Sequence, residues 1–465
     1  MKSPLSRSLG SYVFFLNFTF YFLSRVVDLS RPLFNADYVI IGALAPWMKD
    51  WITLILLFLA YCNDLFVSTA PLYHFELPEA LRWLIDIKYM EWPYTVGCAA
   101  LIVIATLATT GVAVLWSQPR DEDRKQRSVL MLLIAIVLSF FSLKQPVNTS
   151  KYNFTVQSNN HLVSYSGIRQ TIDALRALSK NSHFGIDYTL LSMNEFATGR
   201  VMEAARNSNQ SSLKQPIVLI IVESLGVFND ASLQKTLTPS LIKKDILQKY
   251  KVTFETIPYW GSTNYGEFRE LCGIRMKHYG LLNIPECLPQ YLKKTGFYTT
   301  AIHGFEGNFY DRNNWYSVLA FDEILFKPEL EKLGYSKMCG KGFLGICDTS
   351  IIDLIHKRLI DSSPQNRPFI YWMTLNTHLP VSEEYVSDSK YDCDRNPVTR
   401  DNHLICLQNK GLYKLFDELS KIIADPELPK TKFIITGDHT PPFKEKTTKD
   451  LYNGSRVPAI TLEPL

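Results

Sequence analysis

Long apolar runs dominate the first third of the chain, and short ones recur through the rest. Residues 94–116 (YTVGCAALIVIATLATTGVAVLW) are 23 positions without a charge, enough to cross a ~30 Å hydrocarbon core as a helix. Residues 128–143 are uncharged and slightly shorter, 52–70 is interrupted by Asn63 and Asp64, 11–24 forms a fourth run, and 38–48 a weaker fifth. Lys2 and Arg7 precede the first run, and Arg120, Arg124, Lys125 and Arg127 crowd one short loop. Cations mark the cytoplasmic side, so the pattern predicts about five spans over 1–144 that deliver everything after Lys144 outside the cytoplasm. Several spans in succession fit a cleavable signal peptide badly.

Residues 145–212 turn polar, with an amphipathic helix over 168–179, and read as a connector at the membrane surface. From Pro216 the pattern changes again. Residues 216–222 (PIVLIIV), 297–302, 368–374 and 432–436 are unbroken apolar runs, the signature of strands buried on both faces. Helical stretches such as 348–360 and 407–424 fall between them. The alternation predicts a mostly parallel sheet with helices on both faces over 213–465. Ligands of such sheets collect at the carboxyl ends of the strands.

Those ends carry chemistry. IIVESLG places Glu223 directly after its run, YWMTLNTHLP supplies His378, and FIITGDHTPP supplies adjacent Asp438 and His439. Mixed oxygen and nitrogen donors suit zinc or manganese. Between them, Ser262 and Thr263 follow Gly261 at the start of a helix-like stretch, where backbone N–H groups and the helix dipole attract an anion. Either hydroxyl is a candidate nucleophile. Each feature alone has a plainer reading: a helix-start glutamate, an Asp–His turn, a Ser or Thr N-cap. The convergence of three such strand ends in one domain favours chemistry.

Composition narrows the class. The chain has 465 residues and a net charge of +4, and its basic residues form neither a stripe nor a nucleic-acid motif. Cys62 and Cys98 lie in apolar runs, whereas Cys272, Cys287, Cys339, Cys347, Cys393 and Cys406 all follow the anchor. An even set in an exported domain predicts disulfides, and short loops favour 339–347, 393–406 and 272–287. The alternative is a zinc site, but no C-x-x-C pair or cysteine–histidine cluster has the spacing for one.

With these residues in view, 216–462 resembles the catalytic domain of the alkaline phosphatase and sulfatase superfamily. It is most similar to the membrane-anchored branch: lipoteichoic acid synthase, the osmoregulated-glucan phosphoglycerol transferases and the phosphoethanolamine transferases. GSTNYGEF matches that branch's Gly-x-Thr followed by Glu-Phe. The resemblance implies Thr263 as nucleophile, with Ser262 its neighbour, and Glu223, Thr263, Asp438 and His439 as metal ligands. HGFEGNFYDR matches a substrate motif at His303, Tyr310 and Arg312, and His378 matches a phosphate-contacting histidine. The sulfatase signature Cys/Ser-x-Pro-x-Arg does not surround Thr263, which disfavours a formylglycine enzyme. Tyr310 stands where lipoteichoic acid synthase has tryptophan, while the cysteine pair followed by Asp348 looks closer to the phosphoethanolamine transferases.

The resemblance therefore implies one divalent ion (zinc or manganese, with magnesium as a third choice) and transfer of a phosphoethanolamine or phosphoglycerol head group. The donor would be a membrane phospholipid and the acceptor an envelope glycan or lipid such as lipopolysaccharide. The route would be a phosphothreonine. The expected protein is a monomer without a nucleic-acid partner, multi-pass in a bacterial inner membrane, its catalytic domain in the periplasm. A membrane-anchored phosphodiesterase or sulfatase-fold hydrolase is the alternative.

Overall fold

The computed structural model describes residues 34–44, 47–69, 164–181, 188–207, 213–276, 284–363, 367–443 and 445–465, with isolated positions among the first 96. Contacts separate them into two compact units that meet in sequence at Lys180 and Asn181.

The first unit contains two apolar helices, Ala36–Leu44 and Asp50–Thr69. Among the described residues only the second is long and apolar enough to cross a membrane, with a mean hydropathy of 1.7 over Trp51–Ser68. It falls on the expected run 52–70. The runs 11–24, 94–116 and 128–143 lie almost wholly outside the described residues, and the five-span expectation with them. The amphipathic helix runs over Gly167–Asn181. Asp37 holds its start, accepting hydrogen bonds from Ser166 Oγ and, at 2.9 Å, from Ile168 N.

The second unit is built on a seven-stranded sheet: β1 (Ile217–Val222), β2 (Tyr250–Pro258), β3 (Phe297–His303), β4 (Glu323–Leu325), β5 (Arg367–Met373), β6 (Lys432–Gly437) and β7 (Arg456–Pro464). Their spatial order is β2-β7-β6-β1-β5-β3-β4. β6, β1, β5, β3 and β4 pair in parallel, while β7 runs antiparallel to both β6 and β2. The four expected strands are β1, β3, β5 and β6, and all six residues of β1 are buried, as an unbroken β-branched run in a parallel sheet requires.

The antiparallel edge was not legible in the sequence. β2 buries only Tyr250 and Ile257, its other positions being exposed or half-buried, and β7 contains Pro458. Such strands read as loop unless their partner is known.

Packed on the sheet are helices including Asp348–Ile360, which matches the expected range, and His403–Ala424. The latter starts four residues before the expected Leu407 because Asn402 caps it, its side chain accepting from Ile405 N at 3.1 Å. Trp372, Phe416, Leu415 and Phe433 are among the core side chains closed off from water. The three favoured cysteine pairs, 272–287, 339–347 and 393–406, are all bonded.

Register fixes where the chemistry lies. Met373 of β5 pairs with both Ile221 of β1 and His303 of β3, and Gly437 of β6 pairs with Val222. Glu223, His303, Thr374 and Asp438 therefore emerge along one carboxyl edge of the sheet.

Candidate active site

At the end of β1 the chain turns sharply. Ser224 adopts φ 57°, a left-handed conformation costly for a residue with a side chain. The turn is over-determined by hydrogen bonds. Ser224 N donates to Asp438 Oδ1 at 2.8 Å, Glu223 N to Thr374 Oγ1 at 3.0 Å, and Thr377 Oγ1 to the Glu223 carbonyl at 2.7 Å. Glu223 is thus clamped between the ends of β5 and β6.

Thr263 opens the Thr263–Cys272 helix, every residue of which is buried. Two glycines allow its placement. Gly261 has φ 73°, and a Cβ there would meet the Tyr265 ring at 2.5 Å. A Cβ on Gly266 would stand 2.9 Å from Asp438 Cα, so only glycine lets this helix press against the end of β6. Arg269 ties the two together, donating to the Gly437 carbonyl at 2.6 Å and the Asp438 carbonyl at 3.3 Å.

The result is a tight cluster. Thr263 Oγ1 lies 3.3 Å from Glu223 Oε2, to which it donates, and 3.5 Å from His439 Nε2. That nitrogen is 3.3 Å from Asp438 Oδ2 and 3.7 Å from Glu223 Oε1. One donor atom from each of Glu223, Asp438 and His439 lies within 4.8 Å of the others. His439 Nδ1 donates to the Thr440 carbonyl at 2.8 Å, which turns the Nε2 lone pair toward the carboxylates.

Two carboxylates and an imidazole this buried need compensation. Asp438 Oδ2 is buried with no hydrogen-bond partner. Burial, reinforced by Glu223, pushes the Asp438 carboxyl up to about 7. Burial pulls His439 down, but Asp438 and Glu223 outweigh it and the pKa is raised. An orphaned oxygen among convergent O and N donors is what a divalent cation would satisfy, so the residues present fit one.

The other expected residues fall into two groups. His378 is half-buried, its Nδ1 lacks a partner, and the Phe343 ring meets it edge-on at 4.6 Å. Burial and the neighbouring His439 lower its pKa to about 4. His303 and Arg312 form a second group. His303 Nδ1 donates to the Met373 carbonyl at 3.0 Å, and Arg312 Nη1 stands 3.5 Å from His303 Nε2. Burial first, and Arg312 second, hold His303 well below its ordinary pKa, so it is neutral at physiological pH. The Tyr310 ring, on a backbone with φ 57°, lies 5.1 Å from the Arg312 guanidinium carbon.

Residues to which the sequence assigned no role complete the site. Glu267, one turn beyond Thr263, takes most of the Arg312 fork: Nε at 3.2 Å to each oxygen and Nη2 at 3.0 Å. The Tyr316 and Tyr371 hydroxyls donate to the same carboxylate at 2.5 and 2.6 Å. Asp348 accepts from Leu375 N and Asn376 N, anchoring the loop that carries His378. The Glu of the GSTNYGEF motif was the one available signal, and its partner lies 45 positions away.

A mostly parallel sheet whose carboxyl edge gathers acidic, imidazole and hydroxyl groups at a helix N-terminus defines the α/β class of this domain. The sulfatase family model matches residues 215–464, more than half of the chain; the chain belongs to the sulfatase family. Similar solved structures include the following three. One is a protein of the alkaline phosphatase superfamily from Vibrio parahaemolyticus, at 18% identity and TM-score 0.38, covering 53% of this chain and 60% of that one. Another is the lipoteichoic acid synthase LtaP of Listeria monocytogenes, at 15% and 0.36, covering 54% and 65%. The third is the Streptococcus pyogenes phosphoglycerol transferase GacH in complex with sn-glycerol-1-phosphate, at 14% and 0.38, covering 60% and 78%. This chain thus spans less than two thirds of the first two. No curated protein matches it.

Proposed function

We propose that the chain transfers a phosphoglycerol or phosphoethanolamine head group from a membrane phospholipid to an envelope glycan or lipid acceptor, through a phosphothreonine at Thr263. The observation that carries this reading is the position of Thr263 Oγ1: at a helix N-terminus, 3.3 Å from Glu223 and 3.5 Å from His439. A hydroxyl so placed has a proton acceptor at hand and backbone dipoles aimed at an incoming anion.

Glu223, Asp438, His439 and Thr263 would hold the cation, zinc or manganese by donor type. When bound it would supply Lewis acidity toward the phosphate oxygens and lower the pKa of a hydroxyl beside it. The chain's own residues do the rest. Thr263 Oγ forms a bond to phosphorus as the bond from phosphorus to the diacylglycerol oxygen breaks. The threonine proton leaves toward Glu223 Oε2, and solvent protonates the departing alcohol. In the second half the acceptor hydroxyl attacks phosphorus and the P–O bond to Thr263 breaks. The acceptor's proton passes to His378, whose ring is neutral at pH 7, and Glu223 returns its proton to Thr263 Oγ1. Arg312 Nη1 contacts a remaining phosphate oxygen, held in place by His303, whose Nε2 can only accept because Nδ1 donates to the Met373 carbonyl.

A lipid donor requires the site to work at a bilayer. The apolar N-terminal runs and the Asp50–Thr69 helix support a membrane anchor, and three disulfides support an oxidising compartment such as a periplasm. Purified full-length protein is incubated with head-group-labelled phosphatidylglycerol or phosphatidylethanolamine, manganese and an envelope extract. Label reaching a glycan or lipid supports transfer. Label released only as free head-group phosphate establishes the hydrolase reading instead.

A further inference from the structure

Arg312 places its guanidinium against His303, yet most of it is already occupied. Nε and Nη2 together make three contacts of 3.0–3.2 Å to Glu267, whereas Nη1 makes only long ones, 3.5 Å to His303 Nε2 and 3.5 Å to the Phe309 carbonyl. Glu267 in turn receives two tyrosine hydroxyls from different elements, Tyr316 on the Arg312–Val318 helix and Tyr371 on β5. Arg312 is 1% exposed and Glu267 0%.

We propose that Glu267 is a positioning residue: it locks the Arg312 fork through Nε and Nη2 so that Nη1 alone is presented to the phosphate, beside His303 Nε2. The inference rests on the reading of Arg312 as a phosphate contact. Three features argue for orientation over stability. A buried ion pair adds little stability over apolar side chains of the same volume, so five hydrogen bonds on one carboxylate call for another reason. Glu267 lies four residues after Thr263, on the same face of one rigid, buried helix, so nucleophile and clamp move as one body. Tyr310, in its strained backbone conformation, lies 5.1 Å from the guanidinium carbon, which closes the sideways motion that Glu267 leaves open. Both phenols stay protonated, since burial and then Glu267 raise their pKa values well above the ordinary one, so they remain donors to the carboxylate.

The test is a double-mutant cycle on the full chain in detergent. Turnover of bis(p-nitrophenyl) phosphate with manganese is one readout, and calorimetric affinity for inorganic phosphate is the second. R312Q lowers kcat/KM by ~100-fold, the usual loss on removing one donor to a developing oxyanion. E267Q lowers it by ~10- to 100-fold, the range for a supporting partner of an active-site ligand. The double variant matches R312Q within ~2-fold, because Glu267 has nothing left to orient, and phosphate affinity follows the same pattern. Losses that multiply instead, or an E267Q protein with unchanged turnover and affinity, overturn the inference. Should E267Q fail to fold, Y371F and Y316F give the same cycle without stranding a charge. Each costs a few-fold in the native background and nothing in R312Q, and equal losses in both backgrounds overturn it. An R312Q protein with native turnover defeats the phosphate-contact reading itself, a failure distinct from the other two.

Discussion

Lowering the pH from 8 to 6 should strip the cation from this site, and the structure sets the size of the effect. Cation binding needs Asp438 ionised, and burial with Glu223 places its pKa at about 7 in the cation-free protein. A group with that pKa is ~90% ionised at pH 8 and ~10% at pH 6, so Asp438 alone weakens affinity ~10-fold across the window. His439, with its pKa raised by Asp438 and Glu223 against the pull of burial, must lose its proton too and steepens the fall. The sign is the reverse of an ordinary salt-bridged aspartate. In the cation-free protein the raised carboxyl favours the protonated fold, and that contribution is lost as pH rises from about 4 through about 7. Cation therefore raises the melting temperature more at pH 8 than at pH 6. Calorimetric titration of manganese into the full-length protein at pH 6, 7 and 8, in buffers of different ionisation enthalpy, reads both affinity and protons released. At pH 7 about half a proton per ion comes from Asp438. Affinity that stays flat from pH 6 to 8 with no proton release would refute the coupling, and D438N should abolish tight binding at every pH.

Thr263→Ala should cut head-group release from labelled phospholipid at least ~10³-fold while the melting temperature stays within a few degrees, measured by radiolabel assay and thermal scan. Gly266→Ala puts a methyl 2.9 Å from Asp438 Cα, and should cost ~1–3 kcal/mol in chemical denaturation and weaken manganese binding together. Removing the Cys393–Cys406 bond, with its separation of 13 residues, should cost about 3 kcal/mol, read as a lower melting temperature of the C393A/C406A protein.

The strands that carry the site were legible because burial on both faces leaves no room for polar alternation: IVLIIV in β1 could be little else. Strand ends then pointed to Glu223, Asp438 and His439, which the fold draws together. Thr263 could not be separated from Ser262 by chemistry alone; the resemblance chose it, and Thr263 Oγ1 lies 3.3 Å from Glu223 Oε2. What stayed hidden depends on distant pairing. β2 and β7 look like loops until paired, and the left-handed turn at Ser224 has no glycine to announce it. Glu267 stands in the quoted motif without an assigned role until Arg312, Tyr316 and Tyr371 are brought to it from 45, 49 and 104 positions away. Asp348 was noted for its place after a cysteine pair, but its hold on the His378 loop depends on backbone donors 27 and 28 positions away.

Acid quenching of the full-length protein with labelled phosphatidylglycerol and manganese, followed by peptide mass spectrometry, probes the nucleophile most directly. The account predicts a glycerol phosphate ester on Thr263 that accumulates when the acceptor is withheld and disappears in T263A. An ester on Ser262, an adduct on a histidine, or full turnover with unmodified Thr263 would contradict it.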